Sequence, residues 1–380
     1  MKITARALSG EIIDVQVEEH SFKKITKHKD DILDLPWIAP GLIDIQINGF
    51  GGIDFNRPLE SDEAWHHATR QLYAHGCTGF LIALITNQEK GYRELLGPLA
   101  GRIHLDPRNC LGFHLEGPWL NPDPGYRGAH RAEWMRKPEV RLLNEWGALA
   151  GPLVKLITLA PEVDLDASLR VIHAAVDRNI RIFLGHSAAM GETLRSAVEA
   201  GAVGWTHLGN AVPASVPKFE NVVLHVLAES KLFASLIPDG LHLPPYAFRV
   251  LARHLQQSDP SRLLLTTDAM AGAAADGPGT YTLGEVQVEV GADGAARLPG
   301  SGRLAGSTLT PFQGVFQAER MAGIYLEEAW KALASRPASL LGLPHGLAEG
   351  NSADFCLLSP EKEPYLLATY HRGKCVYEAP

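Results

Sequence analysis

The chain has 380 residues, 46% of them hydrophobic, with 35 Lys and Arg against 43 Asp and Glu, for a formal net charge of −8. That length holds one large domain plus a smaller one, and the acidic balance argues against general nucleic-acid binding while leaving room for a small anionic substrate. No stretch approaches the ~20 apolar residues of a membrane helix, and the first residues show no basic run leading into an apolar one, so neither a membrane span nor a secretory signal is expected. Cys77, Cys110, Cys356 and Cys375 are widely spaced and form no CxxC pair. This argues against a zinc ribbon and against a disulfide framework, and fits a reducing cytoplasm.

Residues 1–38 carry short alternating runs such as "EIIDVQVEE" and no long helix, and the basic "FKKITKHK" (22–29) reads as a solvated turn between strands. From residue 39 the pattern changes. Apolar strands follow one another: "GLIDIQI" (41–47), "GFLIALI" (79–85), "CLGFHLE" (110–116) and "VKLITLA" (154–160). The series goes on with "IRIFLGH" (180–186), "VGWTHL" (203–208), "LFASLIP" (232–238) and "RLLLTTD" (262–268). Helical segments with apolar residues at 3–4 spacing lie between them, among them "DEAWHHATRQLYAHG", "DASLRVIHAAVDRN" and "PPYAFRVLARHLQQ".

Strands apolar on both faces, alternating with helices, imply a parallel sheet covered by helices, and eight such units close a barrel. An open doubly wound sheet is disfavoured because no GxGxxG follows the first strand. Residues 348–380 return to short strand-like runs. The expected architecture is α/β: a (β/α)8 TIM-type barrel over 39–347, with a small β-sandwich domain built from 1–38 and 348–380.

The strand ends carry the chemistry. The run "CLGFHLEGPW" delivers Glu116 and breaks on Gly117-Pro118; His186, His207 and Asp268 stand likewise near the ends of the fifth, sixth and eighth strands. In this fold the C-terminal strand ends form the active-site face. A carboxylate and two imidazoles there suit one divalent metal ion, Zn²⁺ first, with Fe²⁺, Co²⁺ and Mn²⁺ accepting similar ligands. Asp268 beside it suits a proton shuttle. Taken singly, Glu116 reads equally as an N-cap or ion-pair partner, His186 as a helix cap and Asp268 as a turn residue. Four such residues on four units at one end weigh against that reading.

These motifs, with "PGLIDIQINGFGG" (40–52), "GAHR" (128–131), "THLGNA" (206–211), "DGLH" (239–242) and "LAGSTLT" (304–310), resemble in order the N-acetylglucosamine-6-phosphate deacetylases of the amidohydrolase superfamily. The resemblance implies a barrel with a small β domain from both termini, usually dimeric. It implies metal ligation by Glu116, His186 and His207, an acid/base role for Asp268, and carbonyl polarisation by His130. It also implies substrate contacts from Ala129, Asn210, Ala211, Asp239 and His242 and from a closing loop at Leu304, Ala305 and Gly306.

Two departures stand out. Where many amidohydrolases carry His-x-His and a second metal, this chain has Gln46 and Asn48, which implies a single metal. Where the family carries an Arg that reaches the sugar phosphate from a neighbouring subunit, this chain has Lys218, a point charge without the guanidinium fork. The implied reaction is deacetylation of N-acetylglucosamine 6-phosphate to glucosamine 6-phosphate and acetate by a cytoplasmic homodimer. Alternatives are N-acetylgalactosamine 6-phosphate, an unphosphorylated N-acetyl amino sugar, or a non-catalytic sugar-binding barrel. A dihydroorotase-like hydrolase is disfavoured because no lysine ends the fourth strand.

Overall fold

The computed structural model describes all 380 residues. Eight strands run side by side in chain order: β1 Leu42–Ile47, β2 Cys77–Ile85, β3 Cys110–Glu116, β4 Val154–Leu159, β5 Arg181–Leu184, β6 Ala202–Trp205, β7 Phe233–Leu236 and β8 Leu263–Leu265. Each lies within or across a segment the apolar pattern predicts, and all neighbours pair in parallel. A parallel bridge from Ile47 to Ala269, just past β8, brings the last strand round to the first, so the sheet is a nearly closed barrel.

Alternation along each strand divides the side chains between two environments. Phe113 and Leu115 of β3 join the large core packed under the helices. His114 and Glu116 take the other parity and face the barrel interior. Deep in that interior Ile45, Leu81, Leu156, Phe183 and Leu264, from five strands, form an apolar layer closed by Leu340. His114 lies above it. Its Nδ1 donates to the Ile45 carbonyl at 3.0 Å, and its Nε2 meets the Thr158 hydroxyl at 2.7 Å. Burial pushes this imidazole down to about 4, so it is neutral at pH 7.

The helices predicted after β1, β4, β5, β6 and β7 form at Asp62–Ala74, Leu165–Val176, Gly191–Ala200, Val222–Ala228 and Pro245–Ser258. A further helix, Glu89–Leu105, buries Tyr92, Leu95, Leu96, Leu99 and Ile103 although it contains Pro98 and three glycines. Tertiary packing overrides its poor intrinsic propensity. An antiparallel set that a strand-helix repeat does not anticipate, Gly279–Leu283, Val286–Val290 and Ala296–Arg297, is inserted after β8. No helix is long and apolar enough to cross a membrane.

The two ends of the chain do meet. They form one seven-stranded mixed sheet, where the sequence suggested a sandwich of two. The reason is the strand Trp37–Pro40, which pairs in parallel with Lys2–Ala7 on one side and antiparallel with Phe355–Leu358 on the other, joining both ends into one ladder. Ala5, Val15, Val17, Phe22, Ile38 and Phe355 give this sheet its own core. The basic run is not a turn. Ser21–Lys27 is the outermost strand, with Phe22 buried and its lysines exposed. Lysines on a sheet edge hinder pairing with another chain.

Candidate active site

Three strand-end residues converge. Glu116 closes β3, and its Oε1 lies 3.2 Å from His186 Nε2 and 2.9 Å from His207 Nε2. The chain must leave β3 sharply at this point. Gly117 adopts φ +99°, and a Cβ there would lie 2.2 Å from Thr86 Oγ1, so only glycine lets the strand end on its carboxylate. His186, His207 and Asp268 all sit in the left-handed region, with φ of 49°, 32° and 51°. Non-glycine residues held there cost about 1–3 kcal/mol each and persist only where neighbours fix them. The neighbours are visible. Asn121 N donates to the His186 carbonyl at 3.0 Å, the Ser235 hydroxyl accepts from His207 N at 2.8 Å, and Ser307 N donates to the Asp268 carbonyl at 2.8 Å.

The protonation pattern follows from the partners. His186 Nδ1 donates to the Tyr126 carbonyl at 2.8 Å. A neutral His186 therefore turns the lone pair of Nε2 towards a carboxylate oxygen. Two lone pairs facing each other in a buried site repel unless a cation joins them. Donors about 2.0–2.1 Å from a tetrahedral ion stand roughly 3.3–3.4 Å apart, which these spacings approach. His207 Nδ1 is buried without a hydrogen-bond partner, so this ring is held from its Nε2 side. The donor set fits one divalent ion.

His130 complicates the choice of ligands. Its donor atom lies, with those of Glu116 and His186, within a 4.8 Å group, and its Nε2 is 3.7 Å from Glu116 Oε2. Its Nδ1, however, accepts from the Thr86 amide at 3.3 Å and contacts the Thr86 hydroxyl at 2.9 Å. That leaves the proton on Nε2. Burial pushes the ring down to about 3, so it is neutral at pH 7 and presents an N–H, a donor rather than a ligand. His207 Nε2 stands nearer to this carboxylate, 2.9 Å from Glu116 Oε1.

The two amides expected near the metal serve the carboxylates. Gln46 Nε2 donates to Glu116 Oε1 at 3.0 Å, and Asn48 Nδ2 donates to Asp268 Oδ1 at 2.7 Å. Burial, and then the charge of Glu116, raise the Asp268 carboxyl to about 8.

All of these groups except Gln46, which stands behind Glu116, line one cavity of about 410 Å³. Of the residues implied as substrate contacts, Ala129, Asn210, Ala211 and His242 line the same cavity, as do Leu304, Ala305 and Gly306. Asp239 stands behind His242, its Oδ2 2.6 Å from Nδ1, and orients that ring. Lys218 is not brought in. It is exposed, outside the cavity of its own chain. Its segment, Val216 to Phe219, is exposed throughout and makes no wall of the cavity.

The model of the amidohydrolase family matches residues 37–376. The chain is 35% identical over 357 residues to N-acetylglucosamine-6-phosphate deacetylase of Mus musculus, across 90% of this chain and 84% of the mouse protein. It belongs to the N-acetylglucosamine-6-phosphate deacetylase family of amidohydrolases. The solved structure of a Mycobacterium smegmatis N-acetyl-D-glucosamine-6-phosphate deacetylase variant, in complex with N-acetyl-D-glucosamine-6-phosphate, superposes with a TM-score of 0.89 at 28% identity, covering 99% of each chain. An N-acetylgalactosamine-6-phosphate deacetylase of Shewanella is 30% identical over 356 residues, across 90% of this chain and 84% of that protein.

Within this deacetylase family site, sequence reasoning missed several supports. Thr86, which fixes the His130 tautomer, is 44 residues from it. Glu162 accepts from the Ser187 hydroxyl at 2.7 Å and from Asn121 Nδ2 at 2.9 Å, bracing the turn that carries His186. A carboxylate just past the end of β4 was the available signal. Arg303, immediately before the Leu304 loop, also lines the cavity.

Proposed function

We propose that this chain is a metal-dependent deacetylase that converts N-acetylglucosamine 6-phosphate and water to glucosamine 6-phosphate and acetate. The observation that carries the reading is the Glu116 carboxylate oxygen standing 2.9 Å and 3.2 Å from two imidazole nitrogens, with Asp268 on the same cavity wall. Glu116, His186 and His207 hold one divalent ion, for which the mixed oxygen and nitrogen donors favour Zn²⁺. When bound, such an ion acts as a Lewis acid and acidifies water near it.

The chain's own groups do the rest. The acetamide carbonyl oxygen is received by the Nε2–H of His130; one well-placed donor of this kind contributes about 10²–10³ in rate. Asp268, held by Asn48, takes a proton from the attacking water as its oxygen bonds to the acetyl carbon. It then delivers that proton to the sugar nitrogen as the C–N bond breaks, because an amide anion cannot leave. Burial keeps Asp268 basic enough for both transfers, and a cation nearby counteracts its upward shift enough to keep it ionised at the start. His242, Asn210 and Ala211 hold the sugar, and the Leu304–Gly306 loop covers it.

Because Gln46 and Asn48 are amides already engaged with the two carboxylates, we infer one metal rather than two. We take the working form as a homodimer, in which the exposed Lys218 serves a substrate only across the interface. Four free thiols suit a reducing compartment such as the cytoplasm.

The likeness to the Shewanella protein supports one second reading, the galactosamine epimer as substrate. Acetate release from zinc-loaded protein tests both. Release from N-acetylglucosamine 6-phosphate, abolished by a chelator and restored by Zn²⁺, is the expected result. Release only from the galactosamine epimer transfers the reading to that sugar. No release from either, with full metal content, ends it.

A further inference from the structure

The phosphate group of the proposed substrate needs a cation, and the obvious candidate, Lys218, lies outside the cavity. Of the residues lining that cavity only one is Lys or Arg, namely Arg303. Two carboxylates line it, Glu116 and Asp268, and both are buried. Arg303 is exposed, so the positive charge sits at the solvent side of the cavity and the negative charges at its floor.

The position of Arg303 is defined by its backbone. Residues 298–303 form a tight excursion from the strand Ala296–Arg297: Leu298 N donates to the Arg303 carbonyl at 2.8 Å, and Leu304 bridges back to Arg297. The next residues, Leu304 to Gly306, line the cavity. Ser307 then ties the segment to the catalytic strand end through the Asp268 carbonyl. Arg303 is thus carried on the segment that lines the cavity, at a fixed offset from the proposed acid/base.

The two arginines of this small sheet differ in what they hold. Arg297 is engaged by Asp293 through two parallel bonds, at 3.0 Å and 2.7 Å. Arg303 has no carboxylate within ion-pair distance; only its backbone is bonded, its amide to Ser301 and its carbonyl to Leu298. A guanidinium with its fork free, on the rim of a cavity that is otherwise without Lys or Arg, is built to receive a tetrahedral oxyanion.

We propose that Arg303 is the specificity-determining residue for the 6-phosphate, acting in the same chain whose Asp268 performs the chemistry. This rests on the deacetylase reading above. The acetamide on C2 must reach His130 and Asp268 at the floor, which points the opposite, C6 end of the ring outwards to the rim where Arg303 stands. The segment that lines the cavity beside the reacting groups then also reads the phosphate.

The test uses zinc-loaded full-length protein and the ratio of kcat/KM for N-acetylglucosamine 6-phosphate to that for N-acetylglucosamine. R303A is expected to lower the ratio by about 10- to 100-fold, the worth of a charge-assisted hydrogen-bonded contact, and chiefly through KM for the phosphorylated sugar. R303K, which keeps charge but loses the fork, should recover part of it. Inorganic phosphate should compete with the phosphorylated substrate in the wild type and lose that effect in R303A. A wild-type ratio in R303A overturns the proposal and leaves the deacetylase reading standing. So does loss of the ratio in K218A with R303A unchanged, which would assign the phosphate to a lysine from a second copy. Absence of acetate release from both sugars in the wild type removes the deacetylase reading and the proposal together.

Discussion

The two ends of the barrel use the same strands for opposite purposes. At one end Ile45, Leu81, Leu156, Phe183 and Leu264 fill the interior with apolar side chains, closed by Leu340. At the other the same alternation presents Glu116 and Thr158, a register shift in β1 turns Gln46 inwards beside them, and His186, His207 and Asp268 stand just past the strand ends. At the first end the strand pairing shifts register beside several layer residues, yet none of them stands at positive φ; the second holds three of the proposed functional residues there. The contrast teaches where the strain resides. An apolar layer needs only parity and volume, whereas convergence of charged groups needs backbone shapes that propensity disfavours. Those shapes are held by a mesh of hydrogen bonds from Ser235, Asn121 and Ser307. Between the layers, neutral His114 links Ile45 on one side to Thr158 on the other, and Thr158 Oγ1 meets Thr206 Oγ1 at 2.6 Å. The step from apolar to ionic surroundings is therefore made through groups that need no charge.

The largest effect expected at the polar end is that of Asp268→Asn. The amide cannot accept a proton, so kcat should fall by about 10²–10⁴ while elemental analysis still finds one metal per chain. Normal turnover in this variant would remove Asp268 from the reaction. His130→Phe comes next. Loss of the Nε2–H should cost about 10²–10³ in kcat, again with metal retained. This variant also sharpens the ligand assignment, because His130 stands in the same 4.8 Å group as Glu116 and His186. Metal loss in His130→Phe, and retention in His207→Phe, would exchange the two histidines' roles.

Much of this polar end is legible in the amino-acid sequence, and for a physical reason. A carboxylate or imidazole at the end of an apolar strand is costly unless it is used, so Glu116, His186, His207 and Asp268 stand out from their surroundings. The eight strands are legible because each is a short run apolar on both faces. What is not legible depends on contacts between distant segments. The tautomer of His130 is set by Thr86, and the His186 turn by Glu162. The hairpin after β8 alternates openly in "YTLGEVQVEV" but has no counterpart in a strand-helix repeat, and Arg303 on it carries no local sign of facing a cavity. Helix Glu89–Leu105 is hidden by its glycines and Pro98, and the basic strand at 21–27 by its charge. In both cases tertiary context decides against local composition.

A smaller effect is expected from Gln46→Leu. Gln46 makes no part of the cavity wall, but its amide donates to the Glu116 oxygen that both proposed ligand histidines approach. Removing such an outer partner of a metal ligand typically costs about 10- to 100-fold in metal affinity. A zinc-chelator competition titration should show that loss, and saturating zinc should restore most of kcat. A variant whose kcat stays low at saturating zinc would mean that Gln46 orients more than the carboxylate.

The smallest effect on catalysis should come from the apolar end, and it bears on whether the two layers are independent. Leu81 is fully buried on β2, a strand that contributes no proposed ligand. Leu81→Ala removes side-chain volume from a layer formed by five strands, so unfolding in urea should show a loss of about 2–5 kcal/mol. The His114–Thr158–Thr206 chain stands between this cavity and the proposed ligands, and its one bond into the layer is to the Ile45 carbonyl, not to a side chain that the substitution removes. The kcat of the zinc-loaded variant, measured well below its unfolding midpoint, should therefore stay within about threefold of wild type, Ile45 being the one residue through which the two layers couple. A fall in zinc affinity or kcat beyond tenfold would show the opposite: that packing at the apolar end sets the positive-φ shapes at the other, with the buried threonines transmitting the change rather than absorbing it.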